Sequence, residues 1–445
     1  MFERDFTNYL KRWKNSKGRK PLILRGARQV GKTSVVKMFG EKEFDNLVSI
    51  NLEKSKDFEL FKDVMSLEEF KKVINIAYGK ELIAKKTLLF IDEIQNTPNL
   101  IELLRFFYED FQKLHVIATG SLLDVKIKKQ GLEMPVGRVE YAYLYPLTFF
   151  EFLEAVGEEA LLGFLRKVDI REDIPQGIHQ KALKLFNEYA LIGGMPEIVS
   201  LYIQKASQER LDSTYHALLT AYNEDVYKYA LKADIKYISY ALEQAPYFAG
   251  ERITYSKFSG SLYRSREMSE AFSILEKAML LTQIRATKSV QLPLIGQEKR
   301  AKKLLYLDVG LVNFKNEIQS KFLRLKDLSD IYRGRIAEQV VGQNLLASEI
   351  NREQTLYYWG RNKSGSSAEV DFCLVQDGNI IGIEVKSGHS SKLKSLFSLG
   401  NVAEGSKLVR VYSGKLKNEK IKYINKEYNL LSVPFYLINR TLTLY

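Results

Sequence analysis

Between positions 21 and 143, apolar residues gather in short continuous runs at 21–25, 46–52, 87–93, 115–121 and 139–143, separated by stretches of helical periodicity. Runs of this length without polar alternation suit strands buried on both faces. Their alternation with amphipathic segments predicts a parallel sheet with crossover helices. Beyond 147 the pattern turns helical. Residues 265–281 carry apolar side chains at helical spacing, with Ser265 or Ser269 as the N-cap, and the strand-like segments 282–285 and 303–308 flank a basic loop. With a short entry and helix at 253–260, this predicts a winged helix-turn-helix. The pattern restarts near 325, with a helix at 333–346, strands at 355–359 and 368–375, an Asp377-Gly378 turn and a returning strand at 380–387. The fold class is therefore α/β and multidomain.

The first strand runs into Gly26-Ala27-Arg28-Gln29-Val30-Gly31-Lys32-Thr33-Ser34, which fills the pattern GxxxxGK[ST]. Glycines at both ends let the backbone curl with its N–H groups inward, and the next helix adds the positive end of its dipole. This chemistry is matched to a nucleotide triphosphate, with Lys32 reaching its β- and γ-phosphates and Thr33 offering a hydroxyl to Mg²⁺. The third run ends in Asp92-Glu93, outside the carboxyl end of its strand, where ligands bind in such sheets. There Asp92 suits Mg²⁺ and Glu93 suits a water that attacks the γ-phosphate. The strand at 46–52 lies between these two motifs in sequence, as in nucleotidases with an additional strand. Thr119 or Ser121, ending the fourth run, are candidate sensors of the γ-phosphate. Each is equally suited to capping a turn. Arg138 is the candidate for an arginine that reaches a nucleotide, in its own chain or in a neighbouring subunit of a homo-oligomer, or for a surface arginine.

Composition narrows the setting. A chain of 445 residues, 45% hydrophobic with nine prolines, is long enough for about three well-packed domains. The single cysteine, Cys373, excludes an internal disulfide or a cysteine zinc cluster and suits a reducing compartment. The first twenty residues lack the apolar core of a signal peptide, and no apolar run reaches the roughly 18 residues needed to span a bilayer, so a cytoplasmic protein without a membrane partner is expected. A net charge of +13 is compatible with a nucleic-acid partner, DNA rather than RNA, or with a solvated lysine-rich surface. Local surpluses fall at 11–20, around Lys299, Arg300, Lys302 and Lys303, and at 415–426. Arg264, Arg266 and Lys257 are the candidate groove contacts of the winged helix, which is equally suited to packing against a protein.

The ordered series GARQVGKTS, LLFIDEIQNTPNL, HVIATGSLL, GR followed by YPLTFFEF, and LIGGMPEIV resembles a group of prokaryotic AAA+ ATPases with a nuclease-like C-terminal domain. The resemblance spans nearly the whole chain. It implies a P-loop AAA+ core at 1–146 and a helical lid at about 147–210, followed by the winged-helix segment at 211–320 and a nuclease-like domain at 321–445. No lid arginine matching the second sensor of standard AAA+ proteins is evident.

In the last segment, polar residues interrupt apolar strands at Asp371, Glu384 and Lys386. Side chains alternate along a strand, so Glu384 and Lys386 share a face, and Asp371 on the neighbouring antiparallel strand can lie opposite. Two carboxylates suit a second Mg²⁺ or Mn²⁺, and a lysine beside them can position a water for attack on a phosphodiester. With Glu338 from the helix, the set resembles the PD-(D/E)xK nuclease superfamily. Arg361, Lys363, Lys392 and Lys394 flank it. Three functions follow as expectations: an ATPase acting on or with nucleic acid, an ATP-regulated metal-dependent DNA nuclease, and a signalling or scaffold ATPase whose C-terminal half binds protein.

Overall fold

The computed structural model describes residues 2–120, 134–230, 232–318, 334–350, 355–363, 366–386 and 393–444. The five apolar runs form strands β1 (Leu22–Arg25), β2 (Asn46–Asn51), β3 (Thr87–Asp92), β4 (His115–Thr119) and β5 (Glu140–Tyr143). They pair in parallel in the order β2-β3-β4-β1-β5. β3 and β4 are buried at every position, because helices cover both faces of the sheet. The strand lying between β1 and β3 is β4, whereas β2 takes the edge. The 46–52 strand lies between the two motifs along the chain, and across the sheet β4 is the strand between them.

Helices Phe149–Ala155, Glu159–Lys167, Gln176–Ile192 and Pro196–Ile203 follow. The first is fixed by a capping box in which Thr148 and Glu151 exchange hydrogen bonds with each other's backbone N–H. The Gly193-Gly194 corner between the last two helices is pressed against other segments. Gly194 N–H donates to buried Asp308 at 2.7 Å, and Leu147 N–H donates to Gly194 O at 2.7 Å. A Cβ at Gly193 would stand 2.0 Å from Asp308, and φ there is +79°, so only glycine fits.

The middle segment carries helices Gln208–Tyr229, Ile235–Gln244 and Ser265–Lys277 and strands β6 (Arg252–Ile253), β7 (Leu281–Thr287), β8 (Gly296–Gln297) and β9 (Lys302–Tyr306). Helix Ser265–Lys277 begins a turn before Ser269, and Glu267 accepts from Arg264 N–H at 2.9 Å in place of a serine cap. Its buried face is Met268, Ala271, Phe272 and Leu275, while Lys257, Arg264 and Arg266 are exposed. β9 pairs antiparallel with both β6 and β7.

The last segment adds helix Arg335–Ala347, β10 (Tyr357–Lys363), β11 (Ser366–Gln376), β12 (Asn379–Lys386), helix Lys394–Val402, β13 (Lys407–Tyr412), β14 (Lys417–Tyr423) and β15 (Lys426–Pro434). The β11–β12 hairpin turns at Asp377 and Gly378, both with positive φ, as the Asp-Gly pair predicts. β10 lies parallel to β7, so the middle strands continue the C-terminal sheet in the order β14-β15-β13-β12-β11-β10-β7-β9-β6. Among the described residues one buried apolar cluster runs from Phe6 to Leu444, with two smaller ones on the outer face of the N-terminal sheet and in the C-terminal segment. No helix among the described residues is long and apolar enough to cross a membrane.

Candidate functional site: a nucleotide cradle and an acidic centre

β1 delivers the phosphate loop at the carboxyl end of the sheet. Gly31, with φ of +99°, turns the chain into helix Lys32–Glu43. Lys32 is 6% exposed, and its ammonium donates to Gly26 O at 2.9 Å and Ala27 O at 2.8 Å. Burial lowers its pKa to about 8, against the pull of Glu93 and Asp92. Thr33 Oγ1 donates to Asp92 Oδ2 at 2.8 Å, and Thr119 Oγ1 donates to the other Asp92 oxygen. The loop, the end of β3 and the end of β4 thus meet at one carboxylate. Glu93, in the left-handed region at φ +57°, turns away from the strand and accepts from Gln95 Nε2.

Ser34 and Gln29 are exposed, and Val30 and Ala27 are buried beneath the loop. Arg28 pairs with Asp225 at 2.7 Å and Glu53 at 3.3 Å, and its carbonyl accepts from Tyr222 at 3.1 Å. Arg4 donates to Val30 O at 3.0 Å and to Tyr145 O at 2.7 Å while paired with Glu151 at 2.9 Å, which braces the loop from behind. Ser121 lies outside the described residues. Arg138 stands before β5, at the amino edge of the sheet opposite the loop, and pairs with Glu109 at 2.7 Å. It therefore does not join the nucleotide site of its own chain.

Sequence reasoning passes over Gln95, Arg4, Asp225 and Tyr222. Gln95 carried a local signal, two residues after Glu93. The others are set by contacts across 26 to 197 residues and leave none.

The oxygen-only set of Thr33 and Asp92 beside an ammonium suits a hard divalent cation carried by a triphosphate.

In the last segment the structure brings together Glu338, Asp371, Glu384 and Lys386, joined by Glu369. Asp371 Oδ2 accepts from Val385 N–H at 2.9 Å, and Lys386 Nζ lies 2.7 Å from Glu384 Oε1. A residue read from sequence as the first of the 303–308 strand, within a local basic surplus, stands at the centre. Lys303 Nζ lies 2.6 Å from Glu338 Oε2, 3.3 Å from Asp371 Oδ1 and 3.7 Å from Glu369 Oε1. Burial raises the pKa of Glu338 and of Glu384, and the neighbouring Asp371 charge adds to both shifts. Among the described residues, no three His, Cys, Asp or Glu side chains are grouped as a metal site. The side chain of Lys363 and all of Lys392 fall outside the described residues, while Arg361 is half-buried and Lys394 exposed.

Residues 18–153 match the family model described as an AAA domain. Residues 183–321 and 333–436 match two domains of unknown function, DUF8612 and DUF4143. No curated protein matches the chain. Among solved structures, the Thermotoga maritima RuvB Holliday junction branch migration motor is similar at 18% identity over 67% of this chain and 93% of that chain, with a TM-score of 0.29. The Aeropyrum pernix ORC1 protein in complex with DNA is similar at 12% identity over 72% and 92%, with a TM-score of 0.26. C. elegans PCH-2 is similar at 13% identity over 45% and 62%, also at 0.26. The family match, the filled phosphate loop and the parallel five-stranded sheet together make the N-terminal segment a P-loop domain of AAA type.

Proposed function

We propose that the chain binds and hydrolyses Mg-ATP and uses the cycle to act on or with nucleic acid, DNA rather than RNA. The observation that carries this reading is the convergence of Thr33 and Thr119 on Asp92, with Lys32 and Glu93 alongside. Lys32 exchanges its two backbone carbonyls for β- and γ-phosphate oxygens. Thr33 and Asp92, now hydrogen-bonded to each other, would hold the cation, which would neutralise charge on those oxygens. Glu93, held by Gln95, orients a water and takes its proton, and Thr119 is placed beside the γ-phosphate. Arg28 links the loop to helix Gln208–Tyr229, a route by which occupancy reaches the middle segment.

The nucleic-acid part rests on the net charge of +13 and on the exposed Lys257, Arg264 and Arg266 at the start of helix Ser265–Lys277. The order β6, helix, β7, β9, with β9 between the other two strands, supports the winged-helix reading. ATP turnover by wild type, Lys32→Ala and Glu93→Gln tests the proposal. Glu93→Gln is expected to bind ATP and hydrolyse it about 10²–10⁴-fold more slowly. Equal phosphate release by all three proteins would refute it.

The convergence of Glu338, Asp371, Glu384 and Lys386 favours a second reading, an ATP-regulated metal-dependent nuclease. Its check is nicking of supercoiled plasmid with Mn²⁺, with and without ATP. DNA that stays intact under both conditions removes it.

A further inference from the structure

A divalent cation in the acidic centre would be held by carboxylate oxygens at about 2.0–2.6 Å. That position is taken. The three protons of the Lys303 ammonium face Glu338 Oε2 at 2.6 Å, Asp371 Oδ1 at 3.3 Å and the Asp371 backbone carbonyl at 3.3 Å. Lys303 is 2% exposed, and its charge lies over the rings of Phe372 and Tyr358. It comes from β9, in the 183–321 match, whereas every carboxylate around it belongs to the 333–436 match. A cation beside that ammonium would meet a like charge inside coordination distance.

Charge compensation agrees. Among the described residues the carboxylates of Glu338, Glu369, Asp371 and Glu384 face the cations Lys303, Lys386 and Arg252, the last 2.8 Å from Glu369. With all four carboxylates ionised, the centre without Lys303 carries two uncompensated negative charges, the amount one divalent ion neutralises. A second observation points to a cation position. Glu384 is 5% exposed, and its Oε2 is buried without a hydrogen-bond partner while feeling the charges of Asp371, Lys386 and Lys303, with Lys386 bonded to the other oxygen. A buried carboxylate oxygen left this way is costly unless a positive charge serves it.

We propose that Lys303 is the resident cation of the C-terminal acidic centre, standing where an oxygen-seeking divalent ion would bind, so that the centre takes such an ion only when this lysine is removed or withdrawn with β9. The residues present do not fit a metal while Lys303 is in place.

Mn²⁺ titration of the full chain, followed by electron paramagnetic resonance without nucleotide, keeps the test separate from ATP turnover. Wild type is expected to show no saturable Mn²⁺ site. Lys303→Met is expected to gain one ion per chain, bound at least about tenfold more tightly than by wild type, and to lose it again on adding Asp371→Asn. A wild-type Mn²⁺ site that Asp371→Asn abolishes would overturn the proposal, as would a folded Lys303→Met that gains none. If Lys303→Met folds poorly, Mn²⁺ in the refolding buffer is expected to restore it, and equal failure with and without the ion also overturns the proposal.

Discussion

Two buried lysines, Lys32 and Lys303, sit beside carboxylates in different segments of the chain and are held in contrasting ways. Lys32 donates to two backbone carbonyls, with Asp92 and Glu93 near enough only to soften the cost of burial, and its pKa falls. Burial works against the charge of Lys303 too, yet Asp371 and Glu338 raise its pKa above the ordinary lysine value. The first lysine has weak partners that a phosphate can replace. The second is saturated by anions and has nothing to offer a ligand. What surrounds a buried ammonium, rather than its burial, decides whether it binds or braces.

The largest expected effect breaks the bracing side. Lys303→Ala takes the cation from the half-buried Glu338 and Asp371 and is expected to lower stability by up to about 3 kcal/mol, with little change in nucleotide affinity in the folded fraction. Urea unfolding with and without ATP checks both parts. Lys32→Ala is expected to do the reverse. It forfeits charged hydrogen bonds to phosphate, weakening ATP binding about 100-fold by calorimetry, and leaves the urea midpoint near that of wild type.

Titration sharpens the contrast. Free Lys32 loses its proton above about pH 8, whereas phosphate binding calls for the ammonium, so ATP affinity should fall as pH rises past 8, approaching tenfold per unit. Lys303 has the opposite sign. Its folded pKa lies above the unfolded value, so its contribution is fully present below about pH 10 and is lost only as pH climbs beyond it. Calorimetry and urea melts from pH 7 to 9 should therefore show declining affinity without a loss of stability from Lys303. The smallest effect belongs to Arg28→Ala. Its pair with Asp225 is partly exposed on the arginine side, so the loss in stability should stay below about 1 kcal/mol.

The two centres were unequally legible. The nucleotide cradle is encoded in short contiguous segments, so Lys32, Thr33 and Asp92 could be assigned roles from spacing and from the apolar strands preceding them. The Asp377-Gly378 turn likewise fixed the β11–β12 hairpin, because positive φ at both positions suits that pair. Lys303, by contrast, sits among other lysines and looks like solvated surface. Its burial follows from the pairing of β9 with β6 and β7 and of β7 with β10.

By itself, the sequence determined the local chemistry: a glycine-flanked loop between strand and helix, an acid pair ending a buried strand, and alternating acid and base on a hairpin. These depend on backbone geometry over a few residues, which neighbours along the chain dictate. Tertiary structure alone decided that β4 lies between β1 and β3, that Arg138 faces the far edge of the sheet, and that Lys303 enters the acidic centre. Those outcomes arise from pairings between distant strands. Local periodicity records that a strand is buried but not which partner buries it.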